Sequence, residues 1–295
     1  MQKAGVATIG FFDGVHLGHQ KLISIVKKVA AASNYKSILF TFNKTLKSEN
    51  LIYSFRKKIE ILKSCNLDKI IVLDFWKIKN LTPQMFFEKF IIKNKIKLVI
   101  VGRNFRFGKD ASGGTKELIE LSHKYKVSLG IIKNVKIKLN TKSYSVSSSM
   151  IRNKILKSKF EYVNKLLNRD YYIEGFVTKG YGIGSKLLGV PTLNISPKNL
   201  VLPRGVILGI TEIDQKKFYS IANFGFAPTF KKKYFSVEIH ILNKSINIKN
   251  NRTIKFYPIK KIRNEKFFSS VSSLKKCILN DIKKASLFFR SYKID

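Results

Sequence analysis

Val6-Ala7-Thr8-Ile9-Gly10-Phe11-Phe12-Asp13-Gly14-Val15-His16-Leu17-Gly18-His19-Gln20 opens the chain with a change of pattern. Val6 to Ile9 is short, β-branched and apolar, which reads as a buried first strand. Beyond the glycines, Leu22, Ile25, Val26 and Val29 recur at helical spacing. A strand therefore hands over to a helix N-terminus across a turn containing Gly10, Phe12, Asp13 and Gly14. Orphan backbone N–H groups and the positive end of the helix dipole make that place an anion site. Close-set glycines let the backbone approach a phosphate without interference from Cβ. Two of the 4 histidines in the chain, His16 and His19, stand here. Imidazoles facing such an anion can donate hydrogen bonds to the charge that builds up during phosphoryl or nucleotidyl transfer.

Outward from this stretch the alternation continues to about Arg169. Apolar runs at 37–42, 69–75, 97–101 and 127–132 predict further strands. Between them, Phe55, Ile59 and Leu62 mark one helix, Thr82-Pro83 opens a second and Thr115 begins a third. Such alternation predicts a parallel sheet with helices on both faces and ligands at the carboxyl ends of its strands. A second candidate phosphate or ribose contact is the loop Gly102-Arg103-Asn104-Phe105-Arg106-Phe107-Gly108, where a strand empties into glycines and basic residues. A third is Val146-Ser147-Ser148-Ser149-Met150-Ile151-Arg152, read as a serine-capped helix with Arg152 in its first turn, able to grip a polyphosphate. Ser158 and Glu161 have the spacing of a capping box for one more short helix. It ends near Asn168-Arg169, which sets the expected domains at 1–169 and 170–295.

From Tyr171 short β-rich runs follow one another at 172–178, 206–213, 218–223, 235–242 and 253–259, separated by Gly, Pro, Asn and Lys clusters. They predict a small antiparallel barrel or sandwich. A helix from about Ser273 to Arg290 carries Leu274, Ile278, Ile282 and Ala285 on one face, to pack against it. Gly180, Gly182, Gly184 and Lys186 form a basic glycine loop suited to phosphates. Thr192 and Asn194 share a face if extended and offer two neutral oxygens for a Mg²⁺ shared with phosphates. Glu238 and His240 alternate with apolar Val237, Ile239 and Ile241. In the barrel interior Glu238 would be a general base; facing solvent it would be a polar edge.

Composition bounds the answer. The 295 residues suit two domains, and 44% hydrophobic content with 23 Phe and 12 Tyr is enough to build them. No apolar run reaches membrane-spanning length, and the first strand starts too early for a signal peptide, so a cytoplasmic protein without a membrane partner is expected. Cys65 and Cys277 show no metal spacing, which suits a reducing compartment. The formal charge of +39 could attract nucleotides or nucleic acid. Its lysines are scattered through every segment among Ile and Asn, as an AT-rich coding sequence would produce, and we favour that origin over nucleic-acid binding.

The opening stretch resembles the H-x-G-H signature of the nucleotidyltransferase superfamily. Its fuller string resembles the bifunctional riboflavin kinase/FAD synthetases of bacteria, and seven motifs fall in that family's order. The first module's resemblances are Gly10–Gln20, Gly102–Gly108 and Ser147–Arg152. The second module's are Gly180–Lys186, Pro191–Asn194, Val237–His240 and Ile262-Arg263-Asn264-Glu265-Lys266-Phe267. The resemblance implies a Rossmann-like nucleotidyltransferase domain that adenylylates FMN to FAD and a β-barrel domain that phosphorylates riboflavin to FMN. It implies ATP as co-substrate with Mg²⁺, His16 and His19 on the ATP α-phosphate, and Asn104, Ser148 and Arg152 on the nucleotide. It further implies Thr192 and Asn194 on Mg²⁺·ATP, Glu238 as general base and Arg263 on the flavin. Departures cluster in the second module: Leu193 replaces an alanine beside the metal ligands, Ile207 replaces a tyrosine, and Asn243-Lys244 replaces Asp-Phe. In the first module, Asn43-Lys44-Thr45 replaces a proline-containing turn. Two other readings stand beside this one: an FMN adenylyltransferase with a degenerate kinase barrel, and a basic nucleic-acid-binding protein on a decayed enzyme fold.

Overall fold

The computed structural model describes residues 3–43, 50–139, 142–178, 189–226, 235–244, 248 and 252–292. The chain divides into two compact units, Met1–Met150 and Ile151–Asp295.

In the first unit β1 (Gly5–Ile9), β2 (Lys36–Phe42), β3 (Lys69–Leu73), β4 (Ile96–Gly102) and β5 (Ser128–Ile132) form a sheet in the order β3-β2-β1-β4-β5. Their pairings are all parallel. β1 is buried along its whole length, which is why its sequence is a continuous apolar run rather than an alternating one. Val6 packs with Leu22, Val26 and Leu62 of α1 (Leu17–Ala32) and α2 (Phe55–Lys63). On the opposite face Ala7 and Ile9 pack with Ile78 of α3 (Phe75–Ile78), Phe86 of α4 (Pro83–Phe87) and Leu118 of α5 (Thr115–Lys124). Thr82 caps α4 as expected, its Oγ1 accepting from Met85 N at 3.2 Å. The expected strand at 69–75 ends early: β3 stops at Leu73, because Asp74 caps α3 by accepting from Trp76 N. A hairpin of β6 (Lys136–Leu139) and β7 (Lys142–Ser145) had no clear apolar signature in the sequence. Strand order reverses between β1 and β4, so the ligand crevice of such a sheet lies at their carboxyl ends.

α6 (Ser148–Leu156) leads into the second unit. Because it begins at Ser148, Arg152 is its fifth residue, one turn beyond the expected first turn. The capping box does not form for α7 (Phe160–Leu167): Lys159 is the N-cap, and no side chain bonds there. Ser158 takes a left-handed φ of 53°, whereas a capping serine needs an extended backbone. β8 (Ile173–Thr178), β9 (Leu193–Ser196), β10 (Gly205–Ile213), β11 (Lys216–Gly225), β12 (Ser236–Ile241) and β13 (Thr253–Arg263) close a barrel in the order β10-β11-β12-β9-β8-β13. Every pairing in it is antiparallel. The four-residue β9 was not among the expected strands.

Ile207, Ala222, Phe224, Ile239 and Phe256 fill the barrel interior without exposure to solvent. A buried Thr211–Ser220 hydroxyl pair at 2.7 Å satisfies the polar atoms there. On the outer face Val206, Leu208, Ile221 and Leu242 lie beneath Ala285 and Phe289 of α8 (Val271–Arg290). Ser270 caps α8, accepting from Ser273 N at 3.1 Å. Among the described residues no helix is long and apolar enough to cross a membrane.

Candidate active sites

The turn after β1 is built from unusual backbone. Phe12 (φ 54°) and Val15 (φ 41°) adopt the left-handed region around Gly14 (φ 76°), a strain of about 1–3 kcal/mol for each non-glycine residue. A Cβ on Gly14 would also stand 2.8 Å from Ile52 Cδ1. Hydrogen bonds hold the turn. Val15 N donates to Phe12 O at 3.1 Å, and Gln20 Nε2 donates to Val15 O at 2.9 Å. Ile52 N donates to the buried Asp13 carboxylate at 3.1 Å, and Ser148 Oγ donates to Asp13 O at 3.0 Å. Asp13 and Ser148 thus fix the turn from both sides.

The turn delivers His16 as the N-cap of α1, with Nδ1 accepting from His19 N at 3.4 Å. With Nδ1 as acceptor, the neutral ring carries its proton on Nε2. The His16 and His19 rings stack with centroids 3.6 Å apart and planes 15° from parallel, and Phe12 meets His19 edge-on at 5.0 Å. Imidazole N–H groups at this helix N-terminus can donate to an anion. Gly10 lies at the end of β1 with its amide on Phe40 O.

The loop after β4 reaches the same edge of the sheet. Phe105 N donates to Gly102 O at 3.0 Å, and Phe107 and Gly113 exchange backbone bonds that close the loop. Asn104 is exposed at its tip, beside the stacked Phe105 and Phe107 rings. β1 and β4 are parallel neighbours, so the two motif loops flank the switch point together, and Ser148 joins them through Asp13. Arg152 lies in the second unit, one turn along α6 on the face that carries Ser148.

In the barrel the register lines up the second set of residues. Val206 pairs with Arg263 and with Asn223, Asn223 with Glu238, Glu238 with Asn194, and Asn194 with Thr178. Directly paired residues share a face, and Val206 belongs to the layer beneath α8. Glu238 and Asn194 therefore lie on the outer face, half-buried, rather than in the barrel interior. Leu193 pairs with Ile239, whose side chain is in the interior, so its bulk turns away from Asn194 rather than crowding the expected metal ligands. Ile207 is buried in the interior, and Asn243 (φ 57°) forms the turn after β12.

Second contacts fix this row. His240 Nδ1 bonds Pro191 O at 2.8 Å and so anchors the approach to Thr192. Arg263 Nε donates to the buried Asp281 of α8 at 2.7 Å. Glu265 accepts from Phe226 N at 2.8 Å and lies directly over Gly225. Gly180, Gly182, Gly184, Lys186 and the Lys44-Thr45 departure lie outside the described residues.

Sequence reasoning missed Lys58, Asp281 and the anchoring role of His240. Lys58 had a signal: it occupies the inward stripe Phe55-Lys58-Ile59-Leu62, where helical spacing calls for an apolar residue.

Comparison with known proteins follows the same division. A family model described as FAD synthetase matches residues 1–150, and one described as riboflavin kinase matches residues 167–289. A bifunctional riboflavin kinase/FMN adenylyltransferase of Buchnera aphidicola subsp. Schizaphis graminum is 36% identical over 96% of this chain and 93% of its own. One from Bacillus subtilis is 27% identical over 99% of this chain and 95% of its own. A crystal structure described as a macrolide-efflux protein from Streptococcus pneumoniae superposes with a TM-score of 0.81 at 25% identity, covering 99% of this chain and 96% of that one.

Proposed function

This chain belongs to the family of bifunctional riboflavin kinase/FMN adenylyltransferases, and on that premise we propose how its residues divide two ATP-dependent steps. The barrel phosphorylates riboflavin to FMN, and the sheet unit adenylylates FMN to FAD with release of pyrophosphate.

For adenylylation, the FMN phosphate attacks the ATP α-phosphorus while pyrophosphate leaves. Charge grows on the α-phosphate oxygens, and His16 and His19 donate hydrogen bonds to it from the N-terminus of α1. Asn104 contacts the nucleotide from the facing loop, and Arg152 holds ATP phosphates. The observation that carries this assignment is the stacked His16–His19 pair at the end of the central strand, across the crevice from the loop after β4.

For the kinase step, Glu238 takes the proton of the riboflavin 5′-hydroxyl as that oxygen attacks the γ-phosphorus of ATP, the bond to the β–γ bridging oxygen breaks and ADP leaves. Its place beside Asn194 supports the role. Thr192 and Asn194 would hold Mg²⁺. Their neutral oxygens suit a hard cation that keeps water and phosphate ligands, and among the described residues no group of three His, Cys, Asp or Glu forms a cage. When bound, that ion neutralises phosphate charge. Gly180, Gly182, Gly184 and Lys186 belong to the same proposal as a phosphate-wrapping loop. Arg263, on β13 next to β10 in the barrel, contacts the flavin. Cys65 and Cys277, neither in a disulfide, and a need for ATP agree with a cytoplasmic setting.

Purified protein with riboflavin, ATP and Mg²⁺, and in parallel with FMN, ATP and Mg²⁺, tests the reading by chromatography. FAD from both starting points is the expected result. FAD from FMN alone would mean that the barrel has lost the kinase step, and no FAD from either would overturn the proposal.

A further inference from the structure

Lys58 is buried at 3% exposure on the inward face of α2, in the same unit as the His16–His19 pair. All three hydrogens of an ammonium have an oxygen here. Nζ donates to Phe42 O at 2.8 Å, to Phe11 O at 3.0 Å and to Thr41 Oγ1 at 3.3 Å. Thr41 Oγ1 in turn donates to Phe11 O at 3.2 Å, and the Phe11 ring lies 4.2 Å from the ammonium. Phe11 immediately precedes the left-handed Phe12 that begins the histidine-bearing turn; Thr41 and Phe42 end β2, the neighbour of β1. Burying an ammonium is costly, and an apolar residue on this stripe would stabilise the packing without that cost. The ammonium instead joins two loops at the carboxyl edge of the sheet.

We infer that Lys58 is a positioning residue of adenylyl transfer: it ties the Phe11 carbonyl, and through it the His16–His19 turn, to the end of β2. The inference rests on the adenylylation reading above and names a residue which that reading does not use. With its hydrogens committed to protein oxygens, Lys58 acts through the turn rather than on a phosphate. Burial lowers its pKa to about 8, an effect that the facing Asp13 partly offsets. Asp13 comes from the turn after β1; β2 contributes the neutral Thr41 and the Phe42 carbonyl, and α2 the Phe55 ring at 5.3 Å. Deprotonation in mild alkali removes one donor from this junction.

The test measures FMN adenylylation and riboflavin phosphorylation on the same full-length preparations of wild-type, Lys58→Met and Thr41→Val across pH. The second activity controls for folding and concentration. Expected is a fall in adenylylation of about tenfold or more for Lys58→Met, a smaller fall for Thr41→Val, and unchanged kinase activity in both. Wild-type adenylylation should also decline above about pH 8, and that decline should be missing from Lys58→Met. Should Lys58→Met not fold, Thr41→Val and the wild-type pH profile decide the matter. Adenylylation equal to wild-type at every pH, or parallel loss of both activities, overturns the inference. A wild-type protein that makes no FAD from FMN overturns the adenylylation reading itself, which is a distinguishable result.

Discussion

Glu238 on β12 and Asn194 on β9 are directly opposed residues of one antiparallel ladder, on the outer face of the barrel. The pairing sets a carboxylate beside an amide oxygen with no loop between them, so strand register rather than loop conformation fixes their separation. The proton acceptor and cation ligand proposed here for one phosphate transfer would need such a fixed relation.

Glu238→Gln keeps the shape and removes the proton acceptor. Formation of FMN from riboflavin should fall by about 10²–10⁴, while conversion of FMN to FAD stays at the wild-type rate. Following both products over time checks this, and a variant that still makes FMN at the parent rate would remove Glu238 from the chemistry.

The two histidines should differ in what they cost. His19→Ala should lower FMN adenylylation by about 10²–10³ with little change in melting temperature. His16→Ala should lower it similarly and also destabilise the protein by about 0.5–1 kcal/mol, because His16 caps α1. Calorimetry beside the rate measurement separates the two, and equal melting temperatures would deny His16 the capping role.

Gly225 is where the backbone of β11 passes beneath Glu265, and a Cβ there would overlap the carboxylate. Gly225→Ala should expel Glu265 and break its bond from Phe226 N, costing about 1–3 kcal/mol. The readouts are denaturant unfolding and the kinase KM for riboflavin, expected to rise because Glu265 sits two residues from Arg263.

Lys58 gives stability a pH dependence of definite sign. Its pKa is lowered from 10.5 to about 8, so between those values the unfolded chain holds a proton that the folded one has released. The site's contribution is least favourable below pH 8 and recovers as pH rises towards 10.5, over a range of about 3 kcal/mol. Denaturant unfolding of wild-type and Lys58→Met at about pH 7 and about pH 10 should show the difference moving in favour of wild-type. A pH-independent difference would contradict the lowered pKa.

Much of the fold was legible because its signals are local. The apolar run of β1, the Thr82 cap of α4 and the Leu274–Ala285 stripe of α8 each lie within one turn or strand of their cause. β9 escaped because four residues cannot establish a period, and Ser158 misled because its spacing to Glu161 carries no information about φ.

By itself the sequence determined the strand–turn–helix with two histidines, the change from alternating α/β to β texture, and the residue types gathered in each motif. Those are properties of neighbouring residues and of periods of 2 and 3.6. Only the tertiary structure decided that Glu238 faces outward, that Leu193 turns away from Asn194, that Asp13 secures Ile52, and that Lys58 joins Phe11 to β2. An alternating strand reads the same whichever face is buried, and a lysine reads the same buried or solvated. Barrel closure and strand order settle such choices, through partners tens of residues away along the chain.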